Sequence, residues 1–390
     1  MPENKKTNQT ACDSVLPYDM GLMLPVLFLV GIGIVIVYSA SSAYALSTFG
    51  NDYFFLKKQL VFFLLGSAAL LICRHVPLNF VHAMAYPALF LAMVLLLAIH
   101  LTPFGNTVNG SARWLRLGNF SFQPSEPARL ALVIYLSHSI SKKGLRIREF
   151  SIGLLPHILV LATFVGLIAL QPDLGSIVIF GAITWILLFV GGARFFHLTP
   201  IFLTTLPLLY LYLMSATYRM RRLLSFWNPW QYASDEGYQI THSLMAFGSG
   251  GIWGAGFGNS YQKLFYLPEP HTDFIFSVIG EELGLVGVLL ILGLYIFIFW
   301  RGLSISRLTG DAFESLLAVG LTISIGLQAC VNMGVVLGLL PTKGLTLPFI
   351  SYGGTSLITN LAAIGLLMNI AAKNTRQRVR KENNNKDATG

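Results

Sequence analysis

One acidic residue, Asp273, precedes a long apolar run and is the best candidate for chemistry in this chain. Pro270 suits the start of a helix, and His271 or Thr272 could cap it, which places Asp273 in the first turn. A carboxylate at that depth costs several kcal/mol unless it is paired or faces water. We predict a general base at the mouth of a cavity; the alternative is a residue that only complements the helix dipole.

Basic residues in two other segments suit an anionic ligand. Arg113 and Trp114 are adjacent and lie between two apolar runs. The pair is interpreted either as an interfacial anchor or as a binding site for an anionic head group. Lys343 and Ser351 lie in segment 341–354, where two prolines and three glycines break the helix at membrane depth. Such backbone is tolerated only inside protein or beside a wet cavity, so Lys343 is a candidate phosphate ligand; the alternative is a snorkelling lysine.

These residues would suit one reaction if they met in space, which spacing alone does not establish. Arg113 and Lys343 would neutralise a pyrophosphate leaving group, while Asp273 would deprotonate a sugar hydroxyl that attacks an anomeric carbon. Glu126 and Arg129, three residues apart, are expected to form an internal ion pair. Asp173, in a tight turn between two apolar runs, is expected to cap the following helix.

The composition is that of a membrane protein. Hydrophobic residues make up 54% of the 390 residues and charged residues only 11%, against roughly 25% charged residues in a soluble domain. The chain contains several apolar runs of about 20 residues, which is the length that crosses a bilayer as a helix. We therefore predict an all-α, polytopic membrane protein with ten transmembrane helices. The predicted spans lie near 20–43, 54–73, 80–101, 124–141, 152–171, 174–192, 197–216, 272–300, 312–339 and 349–372.

Charge sets the predicted orientation. The formal charge of +9 fits the positive-inside rule better than nucleic-acid binding, because dense basic clusters at 142–148 and 376–381 fall on one side. Both termini are then cytoplasmic. Outside the membrane lie segment 102–123 and a large periplasmic loop, 217–271, between helices 7 and 8. The predicted domains are a cytoplasmic segment 1–19, the membrane domain 20–372 and a basic, disordered cytoplasmic tail 373–390.

Several motifs resemble those of the SEDS family (shape, elongation, division and sporulation). The resemblance spans residues 18 to 372, and the most specific segment is Leu-Pro-Glu-Pro-His-Thr-Asp-Phe-Ile-Phe-Ser-Val-Ile-Gly-Glu-Glu-Leu-Gly at 267–284. Segments 123–129 and 237–239 favour the division members over the elongation members. Further carrying segments are 110–115, 171–175, 237–258 and 341–356.

The resemblance implies a peptidoglycan glycosyltransferase that polymerises lipid II at the division septum of the bacterial inner membrane. It implies Asp273 as the essential aspartate, a class B penicillin-binding transpeptidase and other division proteins as partners, and no nucleic acid. A divalent cation, Mg or Mn, would be bound with the substrate pyrophosphate, without metal-ligand spacing in the chain. The expected substrate-binding residues are Arg113, Lys343, Arg129, Glu126, Trp114, His271 and Ser351.

Three alternatives stay open from the sequence. A lipid II flippase would need a polar path through the bundle, near which only Glu126 and Arg129 lie. A non-catalytic division scaffold would not need the Asp273 carboxylate. A generic ion-coupled transporter is disfavoured, because few carboxylates lie at mid-membrane.

Overall fold

The computed structural model describes residues 18–103, 105–108, 111–118, 120–214, 217–235, 237–264, 267–268 and 270–389. These residues form thirteen α-helices and one small sheet. The helices are α1 Met20–Phe49, α2 Phe54–His75, α3 Leu78–Ala83, α4 Ala85–Leu101, α5 Ser125–Lys143, α6 Leu155–Ala169, α7 Leu174–Val190, α8 Phe195–Met214, α9 Thr217–Trp227, α10 Tyr238–Gly250, α11 Ile275–Leu308, α12 Ala312–Val336 and α13 Gly354–Thr389. A 3-10 turn, Gly144–Arg148, and a π turn, Phe150–Leu154, precede α6.

The helices confirm the predicted all-α, polytopic membrane fold. Within the described residues, six helical segments are long and apolar enough to cross a membrane, and three shorter helices are also apolar. Helix α5 has a much more polar sequence, because it carries buried polar and charged side chains that face other helices. The number of ten spans stays a prediction.

Both predicted outer segments contain regular structure. Segment 102–123 holds an antiparallel sheet of β1 Gly105–Val108, β2 Ser111–Leu117 and β3 Phe120–Phe122, in the order β1-β2-β3. Segment 217–271 holds α9 and α10 followed by turns. The sheet and the two short helices were expected as loops, because they lie between spans and each is too short to give a strong periodic signal.

Helix α11 is interrupted at Gly284, where φ is 64° and ψ is −162°. The glycine-rich segment that follows α10 binds to this break. Gly251 and Ile252 carbonyl groups accept from the amides of Leu285 and Val286 at 3.0 and 3.2 Å. In return, residues 255 and 256 donate to the carbonyl groups of residues 281 and 282 at 2.9 and 3.1 Å. The glycines therefore allow two backbone segments to approach closely.

The expected disorder of the tail is not what the structure shows. Helix α13 continues without interruption from Gly354 to Thr389. The part beyond the predicted span is held at its start, because Lys373 forms an ion pair with Glu314 and Asn374 donates to the Thr309 hydroxyl at 2.8 Å. Residues 373–389 also contain neither proline nor glycine, so nothing in this stretch stops the helix. Residues 1–17 of the predicted N-terminal segment lie outside the described residues.

The core lies around α12 and α13, whose apolar side chains are mostly buried. Glycines bring neighbours close to it: a Cβ at Gly33 of α1 would lie only 2.7 Å from the Ile350 Cα atom, in the segment between α12 and α13. This packing holds segment 337–353 against the bundle. The same end of the bundle carries β2, the α6–α7 turn and the turn before α11.

Candidate active site

A cavity of about 200 Å³ opens where β2, the α6–α7 turn, α7, α9, α12 and segment 340–344 meet. One part of its wall is cationic and another is apolar. The charged lining residues are Arg113, Arg219, Arg222, Lys343 and Asp173. The larger apolar lining residues are Leu174, Val178, Leu223, Val331, Val335 and Leu340. A ligand with an anionic group and a hydrocarbon part would match this wall.

Arg113 is placed in the cavity by an irregularity in the sheet. Asn106 pairs with Trp114 and Thr107 pairs with Ala112, so Arg113 is an extra residue on β2 without a partner on β1. A bulge of this kind re-aims a side chain. The guanidinium donates to the carbonyl oxygens of Gln171 and Pro172 at 3.3 and 2.5 Å, which fixes it at the α6–α7 turn. Of the two predicted roles, this position favours binding of an anionic group.

Asp273 does not line the cavity, but it lies beside Gly344, which does. It is half-buried in the turn before α11. A Cβ atom built on Gly344 would lie 2.9 Å from the Asp273 Oδ2 atom and 3.7 Å from an Arg113 Nη atom. Asp273, Arg113 and the Lys343–Gly344 backbone therefore meet at one point, as the predicted reaction requires.

Asn332 of α12 joins two of these parts, and sequence reasoning missed it. Its side-chain amide donates to the Asp273 carbonyl at 2.9 Å and to the Leu345 carbonyl at 2.6 Å. Asn332 is only 1% exposed. The available signal was a pair of amides, Gln328 and Asn332, near the end of an apolar helix, where each is costly unless it is hydrogen-bonded. Asn332 thus fixes the backbone of Asp273 relative to the Lys343 segment.

Lys343 is half-buried among other cations. The pKa of its ammonium group is lowered to about 8, mainly by burial and also by the neighbouring Arg222, while Asp173 opposes the shift. A lysine held in this way gains from an added negative charge, because an anion would offset both the desolvation and the repulsion. The position fits the predicted phosphate ligand.

Arg219 and Arg222 enlarge the cationic wall beyond the predicted residues. They lie three residues apart on α9, so both project from one face of the helix towards the cavity. Their neighbour Arg221 does not line the cavity. The basic cluster was visible in the sequence, but its inward face could not be chosen without knowing that α9 is a helix.

Glu126 and Arg129 form the predicted internal ion pair, with 2.8 Å between Glu126 Oε2 and Arg129 Nη2. Both are buried, and neither lines the cavity. Arg129 also donates to Asn360 at 3.3 Å, and Gln328 donates to Glu126 at 3.4 Å and to the Thr346 carbonyl at 3.1 Å. The pair therefore supports the Lys343 segment from beneath and does not reach the ligand space.

His271 is also buried away from the cavity. Its ring packs against Phe55, Tyr352 and Tyr44, with centroids 4.4, 5.7 and 6.0 Å away. Burial lowers the pKa of His271 to about 4, so the ring is neutral at physiological pH. Its carbonyl accepts from the Tyr352 amide at 2.9 Å. The residue joins the turn before α11 to segment 337–353.

Two further predicted substrate-binding residues do not line the cavity. The buried Ser351 hydroxyl accepts from the Leu347 amide at 2.8 Å and closes a turn of segment 337–353. Trp114 is half-buried in the sheet beside Arg113. Asp173, in contrast, does line the cavity and also caps α7 as predicted, since its carboxylate accepts from the Ser176 amide at 3.3 Å and hydroxyl at 2.7 Å.

Two buried glutamates of α11 hold the segment that leads to Asp273. Glu281 accepts from the Ser260 hydroxyl and from the Tyr261 amide at 3.0 Å. Glu282 forms an ion pair with Lys263 at 2.7 Å, and both side chains are at most 7% exposed. Removing one partner of a buried pair leaves an uncompensated charge, which makes this anchor strongly coupled to folding.

The residues beside the cavity offer few ligands for the expected divalent cation. Within the described residues, no group of three or more His, Cys, Asp or Glu side chains could hold a metal ion. The oxygen donors near the cavity are the carboxylates of Asp173 and Asp273. Mg²⁺ is commonly held by one or two carboxylates together with substrate phosphates. The donor set therefore fits a cation that arrives with a diphosphate.

Relatives of known description cover almost the whole chain. A "Probable peptidoglycan glycosyltransferase FtsW" of Geobacter metallireducens is 42% identical over 356 residues, which cover 91% of this chain and 95% of that protein. A protein of the same description from Nitrosomonas europaea is 42% identical over 366 residues, which cover 92% and 94%.

Solved structures agree with these relatives. One is a chain from work on structural coordination of polymerization and crosslinking by a peptidoglycan synthase complex, with TM-score 0.76, 30% identity and coverage of 92% of this chain and 98% of that one. The rod shape determining protein RodA of Thermus thermophilus gives TM-score 0.68 and 29% identity, with coverage of 92% and 97%. A family model described as "Cell cycle protein" matches residues 20–376. The chain therefore belongs to the FtsW/RodA/SpoVE family, which the SEDS resemblance predicted.

Proposed function

We propose that this protein is a peptidoglycan glycosyltransferase that polymerises lipid II into glycan strands, with Asp273 as general base. The observation that carries the proposal is the meeting of Asp273, Arg113 and Gly344 at the edge of a cationic cavity. The relatives named peptidoglycan glycosyltransferase FtsW support the same reaction. Their name also supports a role in division.

In this reaction the Asp273 carboxylate accepts the proton of an acceptor sugar hydroxyl. The hydroxyl oxygen forms a bond to the anomeric carbon of the donor sugar, and the bond from that carbon to the diphosphate oxygen breaks. Negative charge then collects on the leaving polyprenyl diphosphate. This charge grows in the transition state and is stabilised by Arg113, Lys343, Arg219 and Arg222. These residues therefore stabilise the transition state more than the bound substrate, which lowers the barrier.

The apolar side of the cavity supplies the second half of the recognition. Val178 and Leu223 lie beside the cationic residues, and Val331 and Val335 extend the apolar wall along α12. A polyprenyl chain leaving the diphosphate would lie against these side chains and continue into the bilayer. This arrangement selects a lipid-linked donor over a water-soluble sugar diphosphate, because the soluble donor leaves the apolar wall uncovered.

A divalent cation would be held by the substrate diphosphate, with Asp173 or Asp273 adding an oxygen ligand. When bound, it would supply further charge neutralisation to the leaving group. The protein would act in the bacterial inner membrane at the septum, with both termini in the cytoplasm. Its partners would be a class B penicillin-binding transpeptidase, which crosslinks the new strand, and other division proteins; the related synthase complex that joins polymerization and crosslinking supports this.

The test is polymerisation of purified lipid II by the full-length protein with its transpeptidase partner. Asp273→Asn keeps the size of the side chain and removes the base, so glycan strand formation should fall by about 10²- to 10⁴-fold. Asp235→Asn makes the same change at an exposed position of the same outer segment and should leave the rate unchanged. Full polymerisation by the Asp273 variant would reject the role, and normal division of cells carrying it would favour the scaffold.

A further inference from the structure

A second cavity, of about 360 Å³, opens at the other end of the bundle, where α2 ends beside α13. Arg74, His75 and Pro77 line it on one side, and Asn369, Lys373 and Arg376 line it from α13. Along α13, the 22 residues from Gly354 to Arg376 correspond to about 33 Å of helix. The cavity is therefore separate from the candidate active site.

The sequence builds this cavity where two tightly packed helices separate. A Cβ at Gly365 would collide with the Leu70 carbonyl oxygen and would lie 3.0 Å from the Cys73 Cβ atom, so α2 and α13 are in close contact there. One turn further, the Asn369 amide donates to the carbonyl oxygens of Cys73 and Val76 at 3.1 and 2.6 Å. The space beyond Asn369 is the cavity.

Positive charge is concentrated on its walls. Lys373 and Arg376 follow Asn369 by four and seven residues, which places them on the same face of α13. Arg74 faces them from the end of α2 and is only 6% exposed. Lys373 is neutralised by Glu314, which does not itself line the cavity. None of the residues that line the cavity is acidic. Two guanidinium groups at one cavity repel each other, and an anion between them would offset that repulsion.

The surroundings indicate the source of the anion. Ile72 and Phe80, near the cavity in sequence, are 62% and 56% exposed, as expected of side chains that face hydrocarbon. Arginine binds phosphate oxygens through two parallel hydrogen bonds. Basic pockets between membrane helices on the cytoplasmic side are typical binding sites for anionic lipid head groups. The predicted orientation places this end of the bundle on that side.

We propose that this cavity binds the phosphate group of an anionic phospholipid, with Arg74 and Arg376 as its ligands and with acyl chains against the apolar faces of α2 and α3. The lipid fills the gap between α2 and α13, at the end of the bundle opposite to the candidate active site. It is a structural lipid of the bundle and takes no part in the proposed glycosyl transfer.

Native mass spectrometry of the full-length protein, released from nanodiscs, tests this. The discs contain phosphatidylethanolamine with or without phosphatidylglycerol or cardiolipin. The protein should retain the anionic lipids and not phosphatidylethanolamine alone. The double variant Arg74→Gln with Arg376→Gln should reduce retention about 10- to 30-fold, since each basic residue at a lipid surface contributes ~1 kcal/mol. Arg378→Gln with Arg380→Gln removes the same charge from exposed positions outside the cavity and should not.

Arg376→Gln alone keeps the test valid if the buried Arg74 is needed for folding, because Arg376 is exposed. It should reduce retention about fivefold. Equal loss in the cavity and control variants would show attraction by total charge and would overturn the proposal. Competition by millimolar inorganic phosphate, with no retained phospholipid, would show a free-anion site and would overturn the lipid assignment.

Discussion

A methyl group added at Gly344 tests whether the position of the Asp273 carboxylate matters. The Cβ of Gly344→Ala would lie 2.9 Å from Asp273 Oδ2, whereas ordinary contacts of a Cβ begin at 3.4 Å. The carboxylate must therefore move by about half an ångström. Since a misplacement of 1 Å can cost about 10²-fold in rate, we expect polymerisation to fall on the order of tenfold. The displaced atom is the terminal oxygen of a side chain and not part of the backbone, so stability should change much less than the rate.

The assay is the initial rate of glycan strand formation from lipid II, with thermal unfolding in detergent measured on the same samples. Gly248→Ala is the matched control, because a Cβ there meets no atom within 4 Å and the backbone is helical. A normal rate in Gly344→Ala would refute the reasoning. A lower rate together with a clearly lower unfolding temperature would refute it too, because partial unfolding would then explain the loss of activity.

Three other changes address the remaining parts of the site. The pKa of Lys343 is lowered to about 8, so its side chain is fully charged well below that pH and loses its charge above it. Polymerisation should therefore decline at alkaline pH, and Lys343→Arg, which stays charged, should move this decline to higher pH. Superimposable pH–rate profiles of the two proteins would contradict the role of Lys343 as a phosphate ligand. Asn332→Leu removes two buried hydrogen bonds and should lower the free energy of unfolding by about 2–4 kcal/mol, which is measured as a lower melting temperature. An unchanged melting temperature would argue against the role of Asn332 in joining Asp273 to Leu345. Arg222→Gln removes a charge that stabilises the leaving group in the transition state and should lower kcat for lipid II at least about tenfold, since a charged hydrogen bond contributes ~1.5–3 kcal/mol. Arg221→Gln changes a neighbour that does not line the cavity and should leave kcat unchanged; equal effects would point to general electrostatic attraction.

The sequence predicted the membrane fold well because its signals are strong. Long apolar runs need no knowledge of neighbours, and the pairing of Glu126 with Arg129 and the cap by Asp173 are local events within one turn. Asp273 and Lys343 were singled out because charged or irregular segments at membrane depth are costly unless something satisfies them. Their proximity to Arg113 could not be predicted from the sequence, because distances across the bundle depend on how helices pack.

Other residues were out of reach for the same reason. The inward face of α9 depends on a short helix packing beside the cavity, so Arg222 could not be separated from Arg221. The expected role of His271 in substrate binding does not agree with its position, because three aromatic rings from two other helices and a loop surround it. The bulge that aims Arg113 depends on a sheet register that residues 105–115 do not reveal by alternation alone.

The break at Gly284 changes how residue positions along α11 must be compared. A helical wheel drawn through 275–308 assumes a constant rotation per residue, and the left-handed backbone at Gly284 ends that assumption. Faces assigned from the part that follows the break cannot be extrapolated to the part that leads back to Asp273. Cysteine crosslinks, spin labels or covarying pairs on α11 must therefore be interpreted with two separate helix axes, one on each side of residue 284.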